Sequence, residues 1–445
     1  MATHRSFLEP QKTTIKGGSN GQQRTGIPVY RKVAWRLVPF LCICYLAAYL
    51  DRVNVGFAKL QMLGDLSFSN TVYGLGAGIF FLGYVIFEVP SNILMHKIGA
   101  KVWIARIMIS WGLIGVAMAF VQTPTQFYIL RFLLGVAEAG FIPGVLLYLT
   151  YWFPAAWRGR IIALFLAAIP ISNIIGGPLS GWILTTLNDV HGLRGWQWLF
   201  IVETIPSIVL GFVVLMFLDN RVDDARWLSD EEKAQIKRDI DAEAEQSSGH
   251  SSAMDALKSG RVWMLGVAYF CIASSIYITS FWMPTLIKQQ GINDPLQIGW
   301  LSAIPYTVAM FAMVLANISA DRLAERRWHT AIPCLITAVG LALSGTPGLG
   351  FGAAMFGLIL AAAGASTTQA CFWSLPPMFL TGAAAAAGIA LVNSLGNIAG
   401  MASTALVGWL TDLTGSPNSA LYLFAGFAVI GALMVLRLPA QIVNR

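Results

Sequence analysis

Four ionisable side chains lie inside long apolar runs, where charge is costly to keep. Asp51 and Arg52 are adjacent in one run, and Arg131 and Glu138 share another. An ionisable side chain at membrane depth costs roughly 2.5–3.5 kcal/mol on insertion scales, and such residues usually face a cavity that serves a substrate or a proton. Because the chain keeps both signs of charge together, the pattern predicts a pathway for an anion, a proton or both.

The composition indicates a protein embedded in a membrane. Of 445 residues, 56% are hydrophobic and 11% are charged, whereas soluble domains carry about 25% charged residues. Since a bilayer span needs about 20 apolar residues, we expect an all-α membrane protein with about twelve transmembrane helices. The predicted spans lie near residues 34–55, 71–95, 102–121, 125–150, 160–183, 197–218, 262–288, 297–319, 330–347, 350–373, 382–410 and 418–438.

Positive charges are distributed unevenly between the two ends of these spans. One end shows only Lys59, Arg194 and Lys288. The positive-inside rule places the richer end in the cytoplasm, together with both termini. The net charge of +7 is therefore a topology signal, and we expect no nucleic-acid partner. The richer end collects Arg31, Lys32, Arg36, Lys97, Lys101, Arg158, Arg160, Lys233, Lys237, Arg238, Arg322, Arg326 and Arg327.

A polar segment divides the predicted spans into two groups of six. Within it, Ser229 followed by Glu232 is a capping-box pattern, which predicts the start of a short amphipathic helix. Two six-helix bundles around a central site are typical of rocker-type transporters. We expect a disordered cytoplasmic tail over residues 1–30, a first six-helix bundle over 31–218, a cytoplasmic linker over 219–260, a second bundle over 261–438 and a cytoplasmic tail over 439–445.

Arg131 and Glu138 are separated by seven residues, which is two turns of an α-helix, so they share a face. They stand about 10 Å apart along the helix axis, too far for a direct ion pair. One interpretation is that both line a polar cavity, with Arg131 binding an anion and Glu138 exchanging a proton. The alternative is that a neighbouring helix neutralises each of them separately, for structural reasons.

Asp51 and Arg52 are adjacent, so on a helix they point about 100° apart. One arrangement directs Arg52 at a substrate and Asp51 into a proton-linked network between helices. In the alternative, Asp51 is only a structural partner of Arg52 or Arg131. Glu88 and Glu203 are also embedded, but they lie nearer the helix ends and are interpreted as structural.

The second half of the chain contributes uncharged polar groups. Between residues 330 and 436 the only charged residue is Asp412. This asymmetry predicts that the first half handles charge while the second half offers hydrogen bonds and aromatic surface, although many such groups serve only interhelical hydrogen bonds. The candidates for substrate contact are Tyr277, Gln369, Trp373 and Asn393, and the other polar side chains at depth are Ser274, Ser275, Ser374 and Asn397.

Other kinds of chemistry find little support in the sequence. All five histidines fall in the tail, in loops or at helix ends, so carboxylates would carry any coupled proton. The five cysteines lie within predicted spans without the spacing of a metal site. The metalloprotease motif His-Glu-x-x-His is missing from the sequence, and the one match to the hydrolase motif Gly-x-Ser-x-Gly, at residues 17–21, lies in the polar segment before the first predicted span. We expect no metal, no cofactor and no enzymatic activity.

Several motifs resemble one known family. The run Arg131-x-x-x-Gly-x-x-Glu138-Ala-Gly-Phe-x-Pro143, and Tyr49-Leu-Asp51-Arg52 before it, resemble the anion:cation symporter family of the major facilitator superfamily. The resemblance extends over nearly the whole chain. It implies proton-coupled uptake of organic anions, with Arg52 binding a substrate carboxylate, Asp51 and Glu138 protonatable, and Tyr84 in contact with substrate.

The loop residues Asp321 and Arg322 resemble the superfamily's gating-loop motif. Gly177-Pro178-x-x-Gly181 resembles its antiporter motif, which many proteins that are not antiporters also show. Relatives that carry glutamate or sialate can have a further arginine in the seventh span, whereas this chain has no charge there. A second substrate carboxylate would then need Arg131 or a hydrogen-bonded site.

These observations favour a proton-coupled importer of a small organic carboxylate in the bacterial inner membrane, acting as a monomer. The residues after Trp373 resemble those of tartrate-, phthalate- or nicotinate-type permeases more than those of sugar-acid permeases. An organic-anion antiporter or uniporter remains an alternative, because it would use the same arginines without titration of Glu138. A membrane-embedded enzyme is the third class, and it would need a catalytic cluster.

Overall fold

The computed structural model describes residues 27–246, 258–379 and 382–444, and these residues fold into long helices. The first half of the molecule comprises eight of them. They are α1 (Ile27–Leu66), α2 (Asn70–Ile98), α3 (Ala100–Ala117), α4 (Pro124–Glu138), α5 (Phe141–Thr150), α6 (Ala155–Leu166), α7 (Ala168–Thr186) and α8 (Gly195–Phe217).

A linker helix and the second half follow. The linker helix is α9 (Asp230–Gln246). The second half comprises α10 (Gly260–Lys288), α11 (Pro295–Leu323), α12 (Arg327–Ser344), α13 (Gly350–Phe372), α14 (Gly382–Thr414) and α15 (Asn418–Leu436), and the short helix α16 (Ala440–Val443) ends the described chain.

The predicted all-α membrane fold is confirmed. Eleven segments of the described residues are long and apolar enough to cross a bilayer, with α4 and α5 forming one segment and α6 and α7 another. The remaining predicted span, near residues 330–347, corresponds to α12, which has 18 residues, begins with Arg327 and packs against α13 and α15. Each half therefore supplies six membrane-crossing segments.

The polar segments differ from the prediction in detail. The capping box at the start of α9 is confirmed, because Ser229 Oγ accepts from the Glu232 backbone N–H at 3.3 Å and Glu232 Oε2 accepts from the Ser229 N–H at 2.9 Å. Helix α1 begins at Ile27, four residues inside the predicted tail. The rest of that tail, and residues 247–257 of the linker, lie outside the described residues.

The predicted C-terminal tail contains a helical turn that packs against the second half. Val443 in α16 is fully buried. Asn444 Oδ1 accepts from the backbone N–H of Arg326 at 3.1 Å, and its Nδ2 donates to Glu325 at 3.1 Å. The chain end is therefore held to the loop between α11 and α12.

The two halves meet most closely at one end of the bundle, which we call the closed end and which carries Lys59, Asp412 and the loop after α10. There α1 packs against α10, α2 against α14, and α7 against α11. A Cβ at Gly177 of α7 would lie 2.6 Å from the carbonyl oxygen of Gly299 in α11. The backbones approach so closely because glycine has no side chain, so this end is sealed by direct contact between helices.

Candidate functional site

A break between α4 and α5 positions Glu138. Glu138 is the last residue of α4, and Gly140 follows with a φ of +89°, a conformation that favours glycine. Pro143 in the first turn of α5 has no N–H to continue the helix. The carboxylate therefore stands at a helix C-terminus, where the helix dipole disfavours negative charge. It needs a cation as its partner.

Arg52 of α1 is that partner. Nε of Arg52 donates to Oε1 of Glu138 at 3.1 Å, and Nη2 donates to the same oxygen. Both residues are buried, with Arg52 9% and Glu138 3% exposed. The guanidinium carbon lies 5.4 Å from the ring centroid of Phe80 and 5.3 Å from that of Tyr84, both on α2. Tyr84, a predicted substrate contact, thus lies beside the ion pair.

Asp51 points away from this pair into the first half. Its Oδ2 accepts from Nε1 of Trp111 on α3 at 2.8 Å and from Oγ of Ser207 on α8 at 2.8 Å. Its Oδ1 has no hydrogen-bond partner among the described residues. One turn before Ser207, Glu203 accepts from Ser180 at 2.7 Å. Asp51 is therefore hydrogen-bonded to α3 and α8, and its part in a proton-linked network stays a prediction.

Arg131 lies apart from this network. It is completely buried, and its Nε donates to the carbonyl oxygen of Gly76 at 3.2 Å. A second bond, from Nη2 to the Ala77 carbonyl oxygen, measures 3.4 Å. Its guanidinium carbon is 5.0 Å from the ring centroid of Phe80, which also lies near Arg52. These contacts hold α4 against α2, and Phe80 stands between the two guanidinium groups.

Two second-half candidates face the first half. Asn393 of α14 donates to Oε1 of Glu88 on α2 at 3.2 Å. The Tyr277 ring on α10 packs edge-on against Phe81 of α2, with centroids 4.5 Å apart, and its hydroxyl donates to Asn397 at 3.4 Å. The structure therefore brings Tyr277 and Asn393 to the same face of α2 that carries the rings beside Arg52.

Gln369 of α13 and Trp373, which directly follows α13, meet around Tyr269 of α10. Gln369 donates to the Tyr269 hydroxyl at 3.4 Å, and the Tyr269 and Trp373 ring centroids are 4.8 Å apart. Both candidates are half-buried, and these contacts lie within the second half. The structure brings them together with each other, and their part in a substrate site remains a prediction.

The loop residues lie far from the ion pair. Asp321 is exposed and its Oδ1 is 3.9 Å from Nη2 of Arg326. Arg322 is also exposed. Arg326 in turn donates to the carbonyl oxygen of Ser374 at 3.4 Å, at the end of α13. The loop therefore interacts with its own half, and its gating role stays a prediction.

Three residues were not predicted from the sequence, although the structure places two of them against Asp51 and the third between the two halves. Trp111 and Ser207, which bind Asp51, lie in apolar runs with nothing in their spacing to mark them. Lys59, counted in the sequence as a charge at a helix end, is 5% exposed and lies 3.4 Å from the ring centroid of Trp282. Only its presence in an otherwise apolar segment was a signal.

The arrangement suits binding and exchange of charged groups. The described residues contain no group of three or more His, Cys, Asp or Glu side chains that would hold a metal ion. What the site offers is the buried guanidinium of Arg52 paired with the buried carboxylate of Glu138, and a set of aromatic faces beside them. A carboxylate ligand and a proton are the species that such groups exchange.

Comparisons with known proteins agree with the fold. Residues 41–404 match the family model of the Major Facilitator Superfamily. The chain is 51% identical to "Putative metabolite transport protein NicT" of Pseudomonas putida, over 94% of this chain and 96% of that protein. It is 46% identical to a "Putative tartrate transporter" of Agrobacterium vitis, over 92% and 90% of the two chains.

A solved structure has the same fold. The xylose transporter XylE from E. coli, in a partially occluded inward open conformation, superimposes with a TM-score of 0.70 at 16% identity, over 92% of this chain and 98% of that one. The sequence and structural matches together cover both halves of the molecule. The protein is a multi-pass membrane protein and a secondary transporter that belongs to the major facilitator superfamily, and it is not an enzyme.

Proposed function

We propose that this transporter imports a small organic carboxylate together with a proton across the bacterial inner membrane. The buried Arg52–Glu138 ion pair is the observation that carries the proposal. A relative is named for tartrate transport, and a guanidinium is well matched to a carboxylate.

The coupling follows from the cost of burying one charge alone. Removing one partner of a buried ion pair costs about 3–5 kcal/mol, so Arg52 needs an anion at every stage of the cycle. Glu138 supplies it in the absence of substrate. A proton on Glu138 would release Arg52 for the carboxylate of the substrate, and departure of the substrate would favour loss of that proton. Substrate and proton would then enter and leave together.

The surrounding groups would set the orientation of the substrate. Tyr84 and Tyr277 offer aromatic faces close to Arg52 and to α2. Asn393, now bound to Glu88, offers an amide on the opposite half. Asp51, held by Trp111 and Ser207, would be the second protonatable group. Arg131 would act on a second carboxylate only if its bonds to α2 were exchanged.

The orientation of the molecule follows from the uneven distribution of positive charge. Lys59, Arg194 and Lys288 belong to the closed end, and the arginine-rich loops to the other. We therefore place the closed end outside the cell and both termini in the cytoplasm. An importer in this conformation is sealed on its extracellular side.

Purified protein tests the substrate assignment. We expect tartrate, phthalate or nicotinate to raise the melting temperature of the wild-type protein and to leave that of Arg52→Ala unchanged. Arg52→Lys should recover only part of the affinity, because a point charge cannot make the paired hydrogen bonds of a guanidinium. Wild-type affinity in a folded Arg52→Ala variant would contradict the assignment.

The alternative is exchange or uniport of the same anions. Uptake that persists with a protonophore present would favour it. The antiporter-like motif does not favour exchange, because its glycines Gly177 and Gly181 lie against Gly299 and Pro295 of α11. Close packing between the two halves accounts for glycine at both positions.

A further inference from the structure

Lys59 is a second buried cation on α1, and no carboxylate of the described residues forms an ion pair with it. It is 5% exposed, and its Nζ has no hydrogen-bond partner among the described residues. The ring centroids of Trp282 and Tyr73 lie 3.4 and 4.8 Å from Nζ. Aromatic faces stabilise an ammonium, but they offset only part of the cost of its burial. A group this costly is rarely kept in a membrane protein without a function.

The aromatic cage around Lys59, formed by the Tyr73 and Trp282 rings, is made by both halves of the molecule. Lys59 and Tyr73 belong to the first half and Trp282 to the second. Beside the cage, the Tyr73 hydroxyl donates to the carbonyl oxygen of Phe281 at 2.9 Å. A Cβ at Gly56 would lie 2.9 Å from that same oxygen. Any movement that separates the halves at the closed end must therefore pull Trp282 off Lys59.

Two buried polar groups on α10, at and next to Trp282, also lack a hydrogen-bond partner among the described residues, and both can donate. Nε1 of Trp282 and Oγ1 of Thr285 are buried without a partner among the described residues. An indole N–H only donates, a hydroxyl can donate, and an ammonium carries three donors. Asp412 and Lys288 also act on Lys59 electrostatically, with opposite signs, so the ammonium keeps its positive character and, together with these open donors, is matched to an anion.

Lys59 also stands in line with the central ion pair. It follows Arg52 by seven residues, which is two turns of α1, so both project from the same face about 10 Å apart. An anion at Lys59 would be one step from Arg52. Opening of the closed end would expose Lys59 first.

We propose that Lys59 and Trp282 form an outer docking site for the carboxylate of the substrate, used when the closed end is open. This inference rests on the function proposed above. When the end closes, the Trp282 ring takes the place of the carboxylate at the ammonium, and the anion passes on to Arg52. The site therefore acts on the affinity for substrate arriving from outside.

Uptake into proteoliposomes of known orientation tests this site with radiolabelled tartrate, phthalate and nicotinate as probes. Lys59→Gln should raise KM about tenfold for substrate added at the closed end, equivalent to about 1.4 kcal/mol. KM for substrate added at the opposite end should stay near wild type while kcat from that end falls by a similar factor, because a substitution cannot change the ratio of kcat/KM in the two directions at a fixed driving force. Lys59→Arg keeps the charge and should restore most of the affinity. Arg194→Gln removes an exposed cation from the same end, whose ion pairs lie within the first half, and is the matched control, with an expected change below twofold.

The outcomes separate this site from the central one. An unchanged KM at the closed end in Lys59→Gln overturns the docking site and leaves Arg52 untouched. An equal fall of kcat from both ends, with KM unchanged, shows a structural role only and also overturns it. If the wild-type protein transports none of the three acids, the proposed function fails and the docking site fails with it.

Discussion

Replacing Asp412 by alanine should open the end of the molecule that is closed in this structure. Asp412 belongs to α14 in the second half and binds the start of α2 in the first. Its Oδ1 accepts from the backbone N–H of Asn70 at 3.1 Å and from the Asn70 side-chain amide at 2.9 Å. Its Oδ2 accepts from the backbone N–H and the hydroxyl of Thr71, both at 2.6 Å.

These contacts set the size of the effect. Two of the donors are N–H groups in the first turn of α2, so Asp412 caps that helix from the other half. Loss of a cap costs about 0.5–2 kcal/mol, and the low part of that range applies because Asp412 is exposed. Loss of a negative charge near a helix N-terminus adds about 0.3–1 kcal/mol. A total of about 1–2 kcal/mol changes the ratio of closed to open molecules about 5–30-fold.

Distances between spin labels measure that ratio. Labels at Gln122 in the first half and Leu349 in the second, in a background without the native cysteines, report the separation of the halves at the closed end. We expect Asp412→Ala to shift the distance distribution towards longer values. Asp412→Asn keeps an acceptor oxygen and should shift it about half as far in free energy. An unchanged distribution in Asp412→Ala would refute the assignment of these bonds as a latch.

Two further substitutions test the closure and the network around Asp51. Gly177→Leu should abolish uptake while the protein still folds, because the new side chain would meet the Gly299 backbone when the halves close. Normal uptake by this variant would show that transport does not require the close contact between α7 and α11. Asp51→Asn keeps an oxygen for Trp111 and Ser207 and should exchange substrate without accumulating it, as measured in proteoliposomes. Full accumulation by this variant would make Asp51 a structural acceptor only.

The sequence predicted the membrane fold and the charged residues of the site, for a clear physical reason. Apolar runs of about 20 residues are read directly from a sequence, and a charge inside one is conspicuous. Arg52, Asp51 and Glu138 were found in this way. Helical geometry also predicted correctly that Arg131 and Glu138 do not form an ion pair.

The partners of these charges could not be predicted. Periodicity gives the face of a residue on its own helix, whereas pairing depends on the rotation and depth of the neighbouring helix. For this reason the pairing of Glu138 with Arg52 and the bond from Trp111 to Asp51 appeared only in the structure. Lys59 shows the same limit, since its burial is produced by Trp282 from the other half of the chain.

In the proposed mechanism Glu138 alternates with substrate at Arg52, and one variant isolates this role. Glu138→Gln imitates the protonated state permanently and leaves Arg52 free for a carboxylate. In proteoliposomes we expect this variant to bind substrate and exchange it between the two sides, but not to accumulate it under an imposed pH gradient. Accumulation equal to that of the wild-type protein would show that Glu138 does not couple substrate to the proton.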